Sequence, residues 1–441
     1  MNGKVIVLLH GGSRGAGFAS VAEKLSCALL GKPLWSYALE ATACLKPASI
    51  LLALDDSDAD SAVALSGGRF RVSLLRLGRR KGGRTAGIGS LLVAAAPVIR
   101  KNRRRDLLVV PADRPLLQPR TLKNLLAAHR KRGCSLTILS CGPEFERDSI
   151  AVFRAADVAP LLAGLARAGQ EGGLGFLAAK LAARGRKVGL TESPEEAEIL
   201  GVTARKDLAR AAGLLRGRKN EALARRGVTL LDPLSAWIDW EAEVGAGTVI
   251  YPLVVIEGAT RIGKNCRIYP HVHIMRSRVG DRVKILSSTV FEDSRLEDDV
   301  QVGPFSRLRP GTLVRAASKV GNFVEMKNTV FGPRSKAQHL SYLGDSLVEE
   351  DVNIGAGTIT CNYDGVRKSR THIEAGAFIG SGTELVAPVK VGKLAYVAAG
   401  STITKDVSPA SLAIGRARQV EKPGWVLEQL KKLRRKPRGP K

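Results

Sequence analysis

Apolar positions follow two regimes along the chain. Through residue 202, short runs alternate with helical periods. Val5–Leu9, Ser49–Leu54 and Asp106–Val110 read as buried strands, while 34–45, 120–131 and 173–184 carry the i, i+3, i+4 spacing of helices. Such alternation predicts an α/β, Rossmann-like domain on a parallel sheet, with ligands at the carboxyl ends of its strands. Residues 203–226 are rich in Ala, Leu and Arg at helical spacing and predict a linker helix ending near Gly227.

From residue 243 the rhythm changes. The hexads VGAGTV, IYPLVV, IEGATR, IGKNCR and IYPHVH succeed one another, and VGKLAY, VAAGST and ITKDVS resume the pattern later. Val244-Gly245, Ile262-Gly263 and Val279-Gly280 recur at spacings of 18 and 17, and Val302-Gly303 and Val320-Gly321 at 18. An apolar residue at every sixth position predicts a parallel β-helix of hexapeptide repeats, three hexads to a coil, with the apolar side chains stacked inward. The recurrent Gly is expected at corners, where a positive φ is cheap only without a Cβ. The rhythm breaks at Ala337–Val352 and at Thr360–Thr371, which predicts two loops leaving the coil, where chemistry tends to reside. The expected domains are therefore 1–202, the linker helix 203–228, a β-helix over 229–426 and a tail over 427–441.

Charge changes this picture less than its size suggests. The formal charge is +28, but residues 231–430 contribute only +2, against +19 from 1–230 and +7 from 431–441. The segment 69–132 alone holds 18 basic and 2 acidic residues. Nucleic-acid binding is the first reading of such a patch, yet it lacks the interleaved aromatics that stack bases, so no nucleic-acid partner is expected. The basic tail 427–441 reads equally as an RNA or membrane hook or as a frayed terminus beside an anionic ligand. No apolar run reaches the ~18 residues of a membrane span, and Met1–Leu9 lacks the form of a secretion signal, so a cytoplasmic protein is expected. Six dispersed cysteines without a C-x-x-C pair predict reduced, mostly buried thiols. His271 and His273 alternate, which in a strand puts both on one face, a surface pair rather than a metal site.

Two stretches of the first region carry candidate chemistry. His10-Gly-Gly-Ser-Arg-Gly-Ala-Gly17 follows the first strand as a loop of tight turns, and Pro111-Ala-Asp-Arg-Pro115 places Asp113 at the end of another.

The most specific text lies at the interruptions of the repeat. GPFSRLRPG (303–311), VGNFVEMKN (320–328), HLSYLGD (339–345) and NIGAGTITCNYDG (353–365) closely resemble the acetyltransferase domain of the bifunctional N-acetylglucosamine-1-phosphate uridyltransferase/glucosamine-1-phosphate acetyltransferase family, from about Ile262 to Trp425. The resemblance implies a homotrimer of left-handed β-helices with active sites between subunits. It also implies acetyl transfer from acetyl-CoA to glucosamine 1-phosphate on the way to UDP-N-acetylglucosamine. Such a transfer needs a base to take the amine proton and a group to polarise the thioester. The resemblance makes His339 that base and Glu325 its support. Arg309, Lys327 and Lys368 surround the phosphate, and Tyr342 and Asn353 contact the sugar. Ala356, Asn362, Tyr363, Ser381, Ala399 and Arg416 match positions that hold substrate or coenzyme A.

The first region resembles the uridyltransferase domain of the same family more loosely. Gly12, Gly15, Lys24 and Gly87 match nucleotide-binding positions, and Asp113 matches a Mg2+ ligand. Ser13, Ala16 and Gly17 replace the Gly, Thr and Arg of the family loop, Ile88 replaces a Thr, and Thr203 stands where a metal-binding Asn is expected. Loss of a phosphate-holding Arg removes transition-state stabilisation. Two readings follow: a degenerate uridyltransferase kept as a scaffold, or nucleotidyl transfer with altered residues or another substrate. Pro111-Ala-Asp-Arg-Pro-Leu116 also looks like the molybdenum-cofactor nucleotidyltransferases. Full bifunctionality is the alternative to acetyl transfer alone.

Overall fold

The computed structural model describes residues 4–12, 14–55, 70–77, 87–140, 149–168, 173–193 and 195–435. The chain divides into two compact units, Met1–Glu243 with Pro252–Thr260, and Val244–Tyr251 with Arg261–Lys441. Ser13, Cys141, positions 69 and 78–86 of the basic segment and 436–441 of the basic tail lie outside the described residues.

In the first unit seven strands form one sheet: β1 (Val5–His10), β2 (Ser49–Asp55), β3 (Val72–Leu77), β4 (Asp106–Pro111), β5 (Leu136–Ser140), β6 (Ala151–Arg154) and β7 (Val188–Glu192). Their spatial order is β3-β2-β1-β4-β6-β5-β7. β1 lies parallel between β2 and β4, with Ile6 opposite Ser49 and Val5 opposite Asp106. The sheet is not wholly parallel, as the alternation had suggested. β6 runs antiparallel to both β4 and β5. Only residues 141–150 join β5 to β6, too short a connection for the crossover that a parallel neighbour needs.

Period-two alternation along β1 feeds two cores. Val5, Val7 and Leu9 pack with Leu34 and Ala38 of helix Leu34–Ala43 and with Leu122 and Leu125 of helix Pro119–Arg132. Ile6 and Leu8 pack on the opposite face with Leu91, Leu165 and Leu177. Every residue of β1 is buried, as expected for a central strand covered on both sides. Helix Arg205–Arg225 joins the first core through Ala211, Ala212 and Leu215.

The second unit is a coil of short parallel strands. Ile250, Ile268, Ile285, Val302, Val320, Ala337, Ile354, Ile379 and Val397 stack coil upon coil, all buried. A second column runs Ile262, Val279, Leu296, Val314, Phe331, Val348, Ile373 and Val391. The hexad prediction thus reads directly as the inward ladder of a β-helix.

Glycine meets its expected role only in part. Gly247, Gly303, Gly311, Gly357, Gly382 and Gly400 have positive φ, but corners with positive φ also hold Asn265, Arg282, Asp299, Ala317, Arg334 and Asp351. The recurrent Gly245, Gly263 and Gly280 have no positive φ; they let coils approach closely. A Cβ on Gly263 would lie 2.5 Å from the Gly280 carbonyl oxygen, and one on Gly321 would lie 1.9 Å from that of Gln338.

The first expected loop does not exist. Lys336–Gly344 pairs along Lys319–Lys327 at a constant offset, with Asn322 opposite His339 and Glu325 opposite Tyr342. The apolar rhythm was hidden because small Ala337 and Ser341 are the buried residues here, Ser341 capping the carbonyl oxygens of His339 and Gly355. The second expected loop is present. Asn353 pairs with Phe378, a coil of 25 residues, and the surplus forms a hairpin bridged from Tyr363 to Lys368.

Smaller expectations also shift. Cys134 and Cys266 are buried, but Cys27 and Cys361 are half-buried and Cys44 is exposed; these five are free thiols. His271 sits at a corner with φ 61°, outside strand His273–Met275, so the two histidines do not share a strand. Among the described residues no helix is long and apolar enough to cross a membrane.

Candidate active site

The β-helix gathers the expected residues by register. Gly357 N donates to Leu340 O, Gly382 N to Ala356 O, and Gly400 N to Ser381 O. These bonds place His339, Ala356, Ser381 and Ala399 in one column at one corner of successive coils. Arg416 follows in the next turn, its Cδ 3.7 Å from where a Cβ on Gly400 would be. A cavity of about 380 Å3 is lined by His339, Asn353, Ala356, Ser381 and Ala399 together with Phe378 and Tyr396. The column therefore runs from an exposed imidazole, past three small side chains, to a guanidinium.

Beside the column lies a cluster of charge. Glu325 accepts a hydrogen bond from Arg309 Nη1 at 2.9 Å. Within one chain no hydrogen bond joins Glu325 to His339, whose strand neighbour is Asn322. Lys327 is held below the usual lysine range by contact with Lys368, by the Lys368 charge and by Arg309. Three cations thus crowd one surface and repel one another, a state that a bound dianion relieves.

Asp345 sits at the edge of this cluster, accepting from Asn328 Nδ2 at 2.7 Å and from Asn362 Nδ2 at 2.5 Å. Burial pushes its carboxyl up, but the two amides and the neighbouring lysines outweigh that and hold it below the usual range. Because Asn362 donates its amide to Asp345, its carbonyl oxygen is left to face a ligand. Gly344 makes room here: a Cβ would lie 2.6 Å from the Tyr342 hydroxyl and 2.8 Å from Asn362 Nδ2. Tyr363 stands exposed on the hairpin, its hydroxyl donating to Gly365 O.

Sequence reasoning missed two parts of this site. Asp345 was within the quoted HLSYLGD motif, and its role became readable only once Asn328 and Asn362 converged on it. Phe378 and Tyr396 stack at 4.4 Å and 11° in the cavity wall; an aromatic pair 18 residues apart was the available signal.

In the first unit Lys24, with no exposed side-chain surface, donates to Asp113 Oδ2 at 2.6 Å. Gly12, at φ 65°, lies against both, since a Cβ there would be 3.1 Å from Asp113 Oδ2 and 3.7 Å from Lys24 Nζ. Gly15, at φ 83°, packs on the Thr203 carbonyl oxygen, which accepts from Ala16 N at 2.8 Å. The structure therefore brings Gly12, Gly15, Lys24, Asp113 and Thr203 together. Gly87 stands apart at the N-terminus of helix Ile88–Ala94, whose Leu91 lines a cavity of about 20 Å3 shared with Gly12. Across Gly17, where the resemblance led one to expect an arginine, lies another: Arg205 donates to Gly17 O at 2.7 Å, pairs with Glu23 and covers the Phe18 ring.

Fit to a divalent cation is partial. Asp113 Oδ1 is buried and accepts no hydrogen bond, with Arg114 Nε 3.9 Å away. The Thr203 hydroxyl is already committed to Asp207 Oδ2. One carboxylate oxygen suits Mg2+ only where phosphates and water complete its shell.

Fold and site together define a hexapeptide-repeat acyltransferase preceded by a nucleotidyltransferase domain. Residues 5–186 match the family of MobA-like NTP transferase domains, and residues 370–405 match the hexapeptide repeat of succinyl-transferase. The chain belongs to the family of the bifunctional protein GlmU. The Thermotoga maritima member is 43% identical over 355 residues, covering 74% of this chain and 79% of that protein. The Pelobacter propionicus member is 40% identical over 381 residues, covering 78% and 83% respectively. The Heliobacterium modesticaldum member is 54% identical over 232 residues, covering 53% and 50%.

Proposed function

We propose a residue-level account of how this chain acetylates glucosamine 1-phosphate. The observation that carries it is the single column from His339 to Arg416 along the coil axis. Acetyl-CoA has its reacting thioester at one end and its phosphates at the other. A column with a base at its foot, small Ala356, Ser381 and Ala399 along its length and a guanidinium above matches that polarity. Asn362 and Tyr363 border the same groove.

Glucosamine 1-phosphate lies beside the column, its phosphate among Arg309, Lys327 and Lys368 and its ring against Tyr342 and Asn353. A guanidinium offers phosphate paired donors, and each lysine adds a point charge. The sugar ammonium first gives one proton to solvent, and His339 takes the second as the amine nitrogen closes on the thioester carbon. The C–S bond of the tetrahedral intermediate breaks, and the imidazolium passes that proton to the leaving sulfur. Glu325 acts chiefly by fixing Arg309, the partner it bonds within one chain.

The site is completed by neighbouring copies in a homotrimer. Phe305 and Phe323 stack in parallel at 5.5 Å and are 53% and 55% exposed, and Leu340, 63% exposed, continues that apolar row beside His339. Such a row is the kind of surface that a partner subunit covers. In the first domain, Gly12, Gly15 and Lys24 would cradle a nucleotide's phosphates, and Asp113 would supply one ligand to a Mg2+ that offsets their charge. A cytoplasmic location suits these substrates. The deciding experiment measures coenzyme A thiol released by purified protein given acetyl-CoA and glucosamine 1-phosphate; no release above the sugar-free control would refute the account.

A further inference from the structure

One column of outward side chains changes character along the β-helix. In five successive coils it holds Arg267, Lys284, Gln301, Lys319 and Lys336, each just before a buried apolar residue. Above Lys336 the same column passes through Asn353 to Phe378, Tyr396 and Leu412. Polar side chains at the lower positions show that the repeat itself does not ask for rings there. The switch falls on the coils that also carry Ser381 and Ala399. Phe378 and Tyr396 stack at 4.4 Å and 11°, and both line the cavity of about 380 Å3 shared with His339, Ala356, Ser381 and Ala399.

We infer that Phe378 and Tyr396 form the wall that grips the pantetheine arm of the acyl donor. The inference rests on the donor groove proposed above and adds a surface for the middle of coenzyme A, which the small residues of the column do not supply. Phe378 stands two strands above the strand of His339 and Tyr396 three, with Arg416 in the turn beyond. The arm has the same order: a thioester, then methylenes broken by two amides, then a carbon bearing two methyl groups, and only then the phosphates. With the sulfur beside His339 and the phosphates near Arg416, the methylenes and the paired methyls fall at the height of the rings. Flat aromatic faces bury such groups at little cost in side-chain freedom. The acetyl group itself stays at the foot, so the pair selects the carrier and not the acyl group.

Calorimetric titration of the full chain with the two halves of the carrier tests this. Pantetheine has the arm without the nucleotide, and adenosine 3′,5′-bisphosphate has phosphates without the arm. Y396Q installs the side chain that Gln301 already carries in this column, so the coil should still fold. It is expected to weaken pantetheine about tenfold, as loss of one aromatic anchor does, and to leave the bisphosphate within about twofold. Y396F should bind both halves as the parent does, because the ring and not the hydroxyl makes the contact. Three results overturn the inference: a parent that gives no heat with pantetheine, Y396Q holding pantetheine as tightly as the parent, or both halves weakened alike. A lighter species of Y396Q by light scattering would also overturn it, since the rings would then be a contact between copies. Binding is read without turnover. A chain that binds both halves in the expected pattern but releases no thiol from acetyl-CoA would therefore sink the proposed function and leave the wall standing.

Discussion

Arg309 Nη1 donates to the Glu325 carboxylate at 2.9 Å, joining two successive coils beside the His339 column. The pair is half-exposed, so its worth lies in holding the guanidinium in place rather than in stability. Charged hydrogen bonds to a ligand are worth about 1.5–3 kcal/mol, so R309A should raise KM for glucosamine 1-phosphate roughly 10- to 100-fold. E325Q should do less, and the double variant should fall short of the product of the two effects, because the residues touch. Initial-rate kinetics check this; an unchanged KM in R309A would sink the phosphate assignment.

Removal of the base separates chemistry from folding. His339 is exposed and has no side-chain role in the coil, so H339A should keep the parent's thermal midpoint. Loss of a positioned base should lower kcat by roughly 100- to 10,000-fold. Initial-rate kinetics and thermal unfolding read the two effects; a parent-like kcat in H339A would refute the role as base.

Lys327 gives a pH prediction with a definite sign. Its charge is lost at lower pH than an ordinary lysine's, because Lys368 and Arg309 oppose it. Affinity for the sugar phosphate should therefore fall as pH rises through the alkaline range. K368A removes the largest opposing cause, so the fall should move to higher pH even as affinity at neutral pH drops. Isothermal titration at several pH values reads both; a fall unmoved by K368A would contradict the contact.

Phe323 tests the assembly. The charged variant F323E puts a carboxylate into the stacked apolar row beside Phe305. Light scattering should show a lighter species, and activity should fall with it although no catalytic group has changed. A variant that keeps both its mass and its rate would show that the row is not an interface.

In the first unit the buried pair of Lys24 and Asp113 should behave as a unit. Breaking a buried ion pair by removing one partner costs about 3–5 kcal/mol, because a charge is left uncompensated. D113N and K24M should each destabilise the domain in urea unfolding by that order, and the double variant by less than the sum. Acetyl transfer by the second unit should stay within about twofold of the parent, as those residues lie in a separate core.

Much of the β-helix was legible because its signal is long-range arithmetic: an inward aliphatic every sixth residue, with coils of 17 or 18. It failed where inward residues were small, as at Ala337 and Ser341, and a strand was mistaken for a loop. The recurrent glycines were legible only in part: Gly303 takes a positive φ, whereas Gly245, Gly263 and Gly280 serve close approach. Their spacing is visible in sequence, but whether it serves φ or close approach depends on the neighbouring coil. Strand β6 was misjudged because alternation reports elements and not their direction. His339 and Arg309 were readable from motif text; the Arg309–Glu325 bond was not, because side-chain partners are chosen in three dimensions. Arg205 over Gly17 could not be foreseen at all, since 188 residues separate them.

The column from His339 to Arg416 also makes the coil a measure of length. Parallel strands stand ~4.8 Å apart, so four steps separate base from guanidinium by roughly 19 Å. The hairpin in the 25-residue coil adds chain without adding to that height, because its residues leave and rejoin the same turn. Donor reach is thus set by the number of turns and not by the number of residues. Inserting or deleting one whole turn between Ser381 and Ala399 would reset the span of acyl carrier by one strand spacing while leaving the chemistry at either end intact.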